Sequence, residues 1–317
     1  MEYRNLGNSG MKVSAVGLGT NNFGGRMDKP SSALVLDKAL ELGINFIDTS
    51  NSYGRGLSEE YIGDSVLGKR HEYIIATKAV SAIGEGANQR GASRFHLINE
   101  LEKSLTRLKT DYVDLYQMHY TDPTTPIEET LRALDDMVHQ GKVRYIGCSN
   151  YASWQLCEAV WTSKMLHLET FVSVQPDYSM LNREIEKELL PFCEEYGVGV
   201  LPFYPLASGF LTGKYRPGKE PPEGTRLAGN ERSRQRLLTD ENFSMLEKLE
   251  QFASERGHPL VELAIAWLLF QPKVSSVIAG ATKPEQLNAN ANATQWELTV
   301  EEMKELDNIL LGKSEEY

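Results

Sequence analysis

Four residues of different chemical type stand just beyond short apolar runs: Asp48, Tyr53, Lys78 and His119. A phenol, an ammonium, a carboxylate and an imidazole held together can move a proton onto or off an oxygen atom. A free phenol has a pKa of about 10, a weak match to neutral pH. A cation beside it favours phenolate, so Lys78 is expected to lower the pKa of Tyr53. Asp48 is expected to hold Lys78 in place and keep it charged. His119 is expected to hydrogen-bond a substrate oxygen and orient it, or to assist proton transfer. Each residue alone also has a plainer use. Asp48 fits a helix cap or a simple ion pair, Lys78 a solvated cation, Tyr53 a half-buried aromatic, and His119 a satisfied core histidine. The set carries chemistry only if the fold brings its members to one place.

The spacing of β-branched runs supplies such a fold. Runs occur at Val16–Thr20, Ile44–Thr49, Tyr73–Thr77, Val113–Met118, Val143–Ser149, Phe171–Gln175, Val198–Phe203 and Val274–Ile278. Most start roughly 30 residues after the one before, which fits one strand, one helix and two loops. Helical periodicity fills the intervals, as in Ser31–Leu42, Ser58–Leu67, Arg94–Leu108, Ile127–His139 and Ser153–Leu168. Ser58 before Glu59 and Glu60 suits a helix start, as does Pro126. Glycines 43, 68, 141 and 197 follow helical runs as stop signals should. The strands are continuous apolar runs, the pattern of parallel strands covered on both faces. Eight such units predict an α/β fold of the (β/α)8 TIM-barrel type, with residues 1–317 as one domain. In a barrel, Asp48, Lys78 and His119 end the second, third and fourth strands and converge at one mouth.

Two stretches depart from the repeat. Tyr3–Leu6 and Lys12–Ser14 flank an Asn8-Ser9-Gly10 turn and predict a hairpin capping one barrel end. Ala207–Asp240 is rich in Gly, Pro and Arg, and helical patterns follow at Glu241–Gly257 and Leu260–Gln271. A long irregular segment after the seventh strand is where a barrel places ligand-binding loops. Thr299–Leu311 reads as a terminal amphipathic helix.

The chain of 317 residues carries 33 Lys+Arg and 44 Asp+Glu, a net charge of −11. That balance opposes nucleic acid and anionic membrane as partners but leaves room for a small anion bound by a local cation cluster. Three cysteines, Cys148, Cys157 and Cys193, make no disulfide framework and suit a reducing compartment. No apolar leader is evident at the start, and the longest apolar run, Leu263–Phe270, is too short to span a bilayer, so a cytoplasmic location is expected.

The motifs around the four residues resemble the aldo-keto reductase superfamily along essentially the whole chain. They are Gly43-Ile44-Asn45-Phe46-Ile47-Asp48-Thr49 with Tyr53-Gly54, then Thr77-Lys78, and Leu115-Tyr116-Gln117-Met118-His119 with Asp122. They continue as Ile146-Gly147-Cys148-Ser149-Asn150, Val174-Gln175-Pro176-Asp177-Tyr178, Tyr204-Pro205-Leu206-Ala207-Ser208-Gly209 and Gly280-Ala281-Thr282-Lys283-Pro284-Glu285-Gln286 with Asn290. The wording is closest to the bacterial branch related to potassium-channel β-subunits. The resemblance implies reduction of aldehydes and ketones to alcohols, with hydride from a nicotinamide cofactor and Tyr53 as proton donor. It also implies that Ser149, Asn150 and Gln175 hold the nicotinamide carboxamide and that Tyr204 stacks on its ring. Helix capping is the competing use of Ser149-Asn150. Leu206, Ser208, Gly209, Leu211 and Lys214 match cofactor-contact positions along the pyrophosphate, with Arg226 a weaker candidate. Gly280 and Thr282 lie in the motif at the adenosine end, which Gln286 and Asn290 approach in the family.

Lys283 adds a physical argument. Pro284 suits the first residue of a helix, which puts a cation at the positive helix end, where an exposed lysine is tolerated but disfavoured. An anion bound there resolves the conflict, and the adenosine 2′-phosphate is one, so NADPH is expected over NADH. Phe23, Met27, Tyr120 and Tyr178 are candidate walls for the carbonyl substrate.

Other functions are weighed on the same residues. The histidines, at 71, 96, 119, 139, 167 and 258, form no pair at a strand end, and the cysteines lack metal spacing, so no metal site is expected. Gly17-Leu18-Gly19 lacks the third glycine of a dinucleotide fingerprint, which opposes a Rossmann module. A slow-turnover NADPH-binding sensor or auxiliary subunit is the alternative function. The sequence leaves oligomeric state open.

Overall fold

The computed structural model describes residues Met1–Leu311. Strands β1 (Tyr3–Asn5) and β2 (Lys12–Ser14) pair as the antiparallel hairpin. Eight parallel strands follow: β3 (Val16–Gly19), β4 (Phe46–Asp48), β5 (Ile74–Ala79), β6 (Val113–Met118), β7 (Val143–Ser149), β8 (Ser173–Gln175), β9 (Gly199–Val200) and β10 (Val277–Gly280). Their order in the sheet is β10-β3-β4-β5-β6-β7-β8-β9. Parallel bridges Val200–Val274 and Phe203–Ile278 then join the last strand to the first and close the barrel.

Helices α1 (Lys29–Glu41), α2 (Leu57–Ser65), α3 (Arg94–Leu108), α4 (Ile127–His139), α5 (Ser153–Leu166) and α6 (Leu189–Tyr196) connect successive strands. Helices α7 (Glu231–Leu237), α8 (Asp240–Glu255) and α9 (Leu260–Phe270) lie between β9 and β10, and α10 (Pro284–Asn292) and α11 (Val300–Leu310) end the described chain. All eight predicted strands are present; β6 and β7 keep the predicted bounds, β5 runs on to Ala79, and the other five are shorter. The seventh shrinks to two residues because Pro202 has no N–H for a ladder, although its carbonyl still accepts from Ile278 N at 2.9 Å. The segment expected to be irregular contains α7, begun by Asn230, whose side chain accepts from Ser233 N at 3.0 Å.

Glycines 43, 68, 141 and 197 all take positive φ, as stop signals require. Ser58 does not cap its helix. That helix starts one residue earlier, after Gly56 at φ 95°, and Ser58 turns inward to the hydroxyls of Thr20 and Thr49, each at 2.9 Å. The expectation for Ser58 fails because its hydroxyl is taken by two strand-end threonines inside the protein.

The barrel positions the site through the period of two along a strand. Phe46, Ala76, Leu115 and Ile278 form one buried apolar cluster with Leu6, Val13 and Leu201, so the hairpin helps plug the barrel. Two residues further along the same faces come Asp48, Lys78, Gln117 and Gly280. The interior therefore changes from apolar to polar in one step towards the C-terminal strand ends. A second, larger core fills the space between the barrel wall and the helices.

Gly7 fixes the hairpin under the barrel. It sits at φ +55°, donates to Ser275 Oγ at 3.2 Å, and leaves no room for a Cβ, which would meet Val172 O at 2.3 Å and Gly199 N at 2.7 Å. Gly7→Ala is expected to lower stability by about 2 kcal/mol, read as a fall in the urea midpoint, with activity per folded molecule retained.

Candidate active site

Lys78 is fully buried, an expensive place for a charge. Each of its three ammonium protons has an acceptor. Nζ lies 2.7 Å from Asp48 Oδ2, 2.8 Å from Thr49 O and 3.4 Å from Tyr53 Oη. The other Asp48 oxygen, Oδ1, accepts from Gln175 Nε2 at 2.8 Å and Gln117 Nε2 at 3.2 Å. Strands β4, β5, β6 and β8 thus each contribute one side chain to a single ionic centre, with Tyr53 set above it in the short turn Tyr53–Gly56.

Burial tends to strip Lys78 of its proton, but Asp48 and then Tyr53 reverse this and raise its pKa, so the ammonium persists. For Tyr53 burial is the largest influence and raises the pKa above 10, while Lys78 opposes it. The expected direction of Lys78's effect is therefore present, but the expected net lowering is not. The phenol stays protonated at neutral pH, and Lys78 favours its ionised form.

His119 is also buried, and its ring meets Tyr53 edge-on at 5.9 Å between centroids. Burial first, and Lys78 second, lower its pKa to about 3. It is a neutral imidazole at working pH, so orienting a substrate oxygen fits it and donation from an imidazolium does not. Its Nδ1 lies 3.2 Å from Ser50 Oγ and 3.1 Å from Ser81 Oγ.

The candidate cofactor residues begin beside His119, at the end of β7. Ser149 and Asn150 do not cap α5, whose N-cap is Ala152. Instead Ser149 Oγ donates to Gln175 O at 2.8 Å, and Asn150 Nδ2 donates to His119 O at 2.9 Å and Ser149 Oγ at 3.1 Å. With the amide nitrogens of Gln175 and Asn150 so engaged, their carbonyl oxygens are left to accept from an amide NH2. Tyr204 is 40% exposed at φ +55°, with the Arg226 guanidinium 5.4 Å from its ring centroid. Left-handed φ values recur at Ala207, Ser208 and Gly209. A Cβ on Gly209 would lie 2.6 Å from Lys214 Nζ, so this glycine keeps the backbone bare beside a cation. Leu206 is half-buried and Leu211 buried, so Leu211 supports this loop from below. Arg226, hard to place from sequence, reaches Asn21 Oδ1 at 2.7 Å across the mouth.

Lys283 is the exposed N-cap of α10, with Pro284 in the first turn and no side-chain cap. Gly280 ends β10. Gln286 Oε1 folds back to accept from Thr282 N at 2.7 Å, while Asn290 on the same helix face is buried. The free amide oxygens of Gln175 and Asn150, the exposed ring of Tyr204 and the cations Lys214, Arg226 and Lys283 are of the chemical types a nicotinamide dinucleotide requires.

Of the candidate walls, Tyr120 alone is well exposed, stacked on His119 at 4.6 Å between centroids. Phe23 and Met27 are core residues. Tyr178 is buried too, 5.3 Å from Trp267, and it donates to Glu186 Oε1 at 2.8 Å. These three are not walls, because closing the barrel against its helices used their surface. Gln117, Ser50 and Ser81 join the site only through the fold. Gln117 was findable, two residues beyond inward-facing Leu115.

The Aldo/keto reductase family profile matches residues 15–311, and the chain belongs to that family. A probable voltage-gated potassium channel subunit beta of Oryza sativa is 38% identical over 298 residues, 92% of this chain and 91% of that protein. The aldo-keto reductase YhdN of Bacillus subtilis is 37% identical, covering 98% and 94%. The L-glyceraldehyde 3-phosphate reductase of Escherichia coli K12 is 36% identical, covering 92% and 87%. The chain is accordingly an oxidoreductase of this family. Among the described residues no helix is long and apolar enough to cross a membrane, and no group of three or more His, Cys, Asp or Glu is placed to hold a metal.

The neutral state of His119 has a consequence for stability. Below about pH 6.5 the unfolded chain protonates this imidazole while the folded one refuses the proton down to about 3. Stability is therefore expected to fall as pH drops through that window. Urea midpoints of wild type and His119→Gln, compared at pH 7 and pH 5, are expected to show the smaller acid loss in the variant.

Proposed function

We propose that the protein reduces aldehydes or ketones to alcohols with NADPH, and that it works in the reducing cytoplasm as one domain, residues 1–317. The observation that carries this reading is the buried ammonium of Lys78, which touches both the Asp48 carboxylate and the Tyr53 hydroxyl. The nicotinamide cofactor supplies the hydride when bound. Tyr53 is the proton donor, loaded at neutral pH because burial holds its pKa up. Lys78 stabilises the phenolate as the proton leaves, and Asp48 keeps Lys78 charged and aimed. His119, neutral, donates one hydrogen bond to the carbonyl oxygen and orients it. Asn150 and Gln175 hold the carboxamide, with Ser149 fixing both. Tyr204 packs on the ring, and Leu206, Ser208, Gly209, Leu211 and Lys214 form the pyrophosphate cradle with Arg226. Gly280, Thr282, Lys283, Gln286 and Asn290 take the adenosine end.

Tyr53→Phe tests the reaction. It is expected to lose turnover by at least about a hundredfold while NADPH binding stays within a factor of two or three. Near-normal turnover removes Tyr53 as the donor. A wild-type protein that binds NADPH tightly but oxidises it with no member of an aldehyde panel supports the alternative, a slow-turnover sensor or auxiliary subunit, a role in keeping with the name of the rice relative.

Lys283→Glu tests the cofactor. A reversed charge at an uncapped helix start is expected to weaken NADPH binding at least about tenfold and to leave NADH binding nearly unchanged. An unaltered preference removes the phosphate assignment.

A further inference from the structure

His119 differs from the other histidines that bond through Nδ1. His96 faces the Asn88 carbonyl at 3.0 Å, His139 the Asp135 carbonyl at 2.9 Å, and His258 the Glu262 carboxylate at 2.7 Å. Carbonyls, like carboxylates that have lost their proton, only accept, so those three rings must carry a proton on Nδ1. His119 Nδ1 faces two hydroxyls instead, and a hydroxyl can donate. Ser50 Oγ already accepts from Ser52 N at 3.3 Å, which leaves its hydrogen to give. The alternative takers of that hydrogen, Ser52 Oγ at 3.1 Å and Asn51 Oδ1 at 3.4 Å, offer a hydroxyl with its own hydrogen and a longer contact. Among the described residues the Ser81 hydroxyl bonds only to His119.

The backbone is bent to put Ser81 there. Val80, directly before it, holds φ +89°, a costly conformation for a β-branched residue. The bond from Gly91 N to Val80 O at 2.9 Å keeps the turn in place. Strain of this kind persists where the surrounding structure imposes one geometry, and it concentrates at functional sites.

We propose that Ser50 and Ser81 are positioning residues whose hydroxyls share donation to the single lone pair of His119 Nδ1 and thereby hold the ring's one proton on Nε2. The inference rests on the carbonyl-reduction reading above. A carbonyl oxygen offers only lone pairs, so an imidazole that orients it must present Nε2–H. The opposite tautomer would set lone pair against lone pair. Because burial keeps the ring neutral, it cannot carry both protons at once, and the choice of tautomer decides whether it binds substrate at all. A carboxylate at Nδ1 would impose the wrong tautomer here, whereas hydroxyls can donate and so allow the right one.

The test needs no turnover for its first readout. Nitrogen-15 spectra of histidine-labelled protein, without substrate, are expected to show His119 protonated at Nε2 in the wild type. Ser50→Ala/Ser81→Ala is expected to move the population towards Nδ1–H and to raise KM for the carbonyl substrate about tenfold, the worth of one hydrogen bond. NADPH affinity is expected to stay put. Ser81→Thr, which keeps a hydroxyl, is expected to retain both tautomer and KM, and single serine variants give the same readouts should the double variant fold poorly. An Nδ1–H wild type, or a double variant with unchanged tautomer and KM, overturns the proposal. Tyr53→Phe separates the two levels. If it keeps its turnover while the serines still set the tautomer, the reaction reading fails and the serine assignment stands.

Discussion

The ion pair of Lys78 with Asp48 is the constraint the rest of the site obeys. An ammonium with no solvent exposure survives only if every proton has a partner and a carboxylate balances its charge. The barrel meets both demands by converging strands. Asp48, Lys78, Gln117 and Gln175 come from four of them, and Thr49 gives a backbone carbonyl. The one partner that is neither anion nor amide is the Tyr53 hydroxyl, at the longest distance of the three. The least saturated side of the ammonium therefore faces the group whose charge changes when a proton leaves.

A second set of buried polar groups supports this centre from outside the barrel wall. Ser58 and Glu59, adjacent on α2, both turn inward. Ser58 bonds the hydroxyls of Thr20 and Thr49, while Glu59 accepts from Thr77 Oγ1 at 2.5 Å and from Arg107 Nε at 2.6 Å. Thr49 and Thr77 are the chain neighbours of Asp48 and Lys78. One helix turn thus holds the outward hydroxyls of the same strands whose inward side chains form the ion pair. Burial raises the pKa of Glu59 against the pull of Arg107, so this carboxylate depends on its partners as Lys78 does on its own.

Much of this was legible in the sequence because it follows the period of two along strands and the spacing of strand and helix. Asp48, Lys78 and His119 are recognisable as strand-end residues, and continuous apolar runs predict a closed parallel sheet. What escaped depends on where loops fold back. Ser81 meets His119 only because Val80 takes a left-handed turn, and nothing in a valine signals that. Phe23, Met27 and Tyr178 looked like pocket walls because aromatic and apolar residues near a mouth read alike whether they face ligand or core. Ser58 looked like a cap because its competing partners lie 38 and 9 residues away in the chain. The net pKa of Tyr53 escaped for a different reason: sequence names the cation but not the depth of burial that outweighs it.

The Lys78 charge is coupled to the Tyr53 phenol. A spectrophotometric titration reads it directly, as the phenolate signal of the protein minus that of Tyr53→Phe, taken in the wild type and again in a Lys78→Met background. Tyr53 is expected to ionise at a higher pH once Lys78 is replaced, because burial then acts without the opposing cation. A Tyr53 titration that is the same in both backgrounds would contradict the coupling.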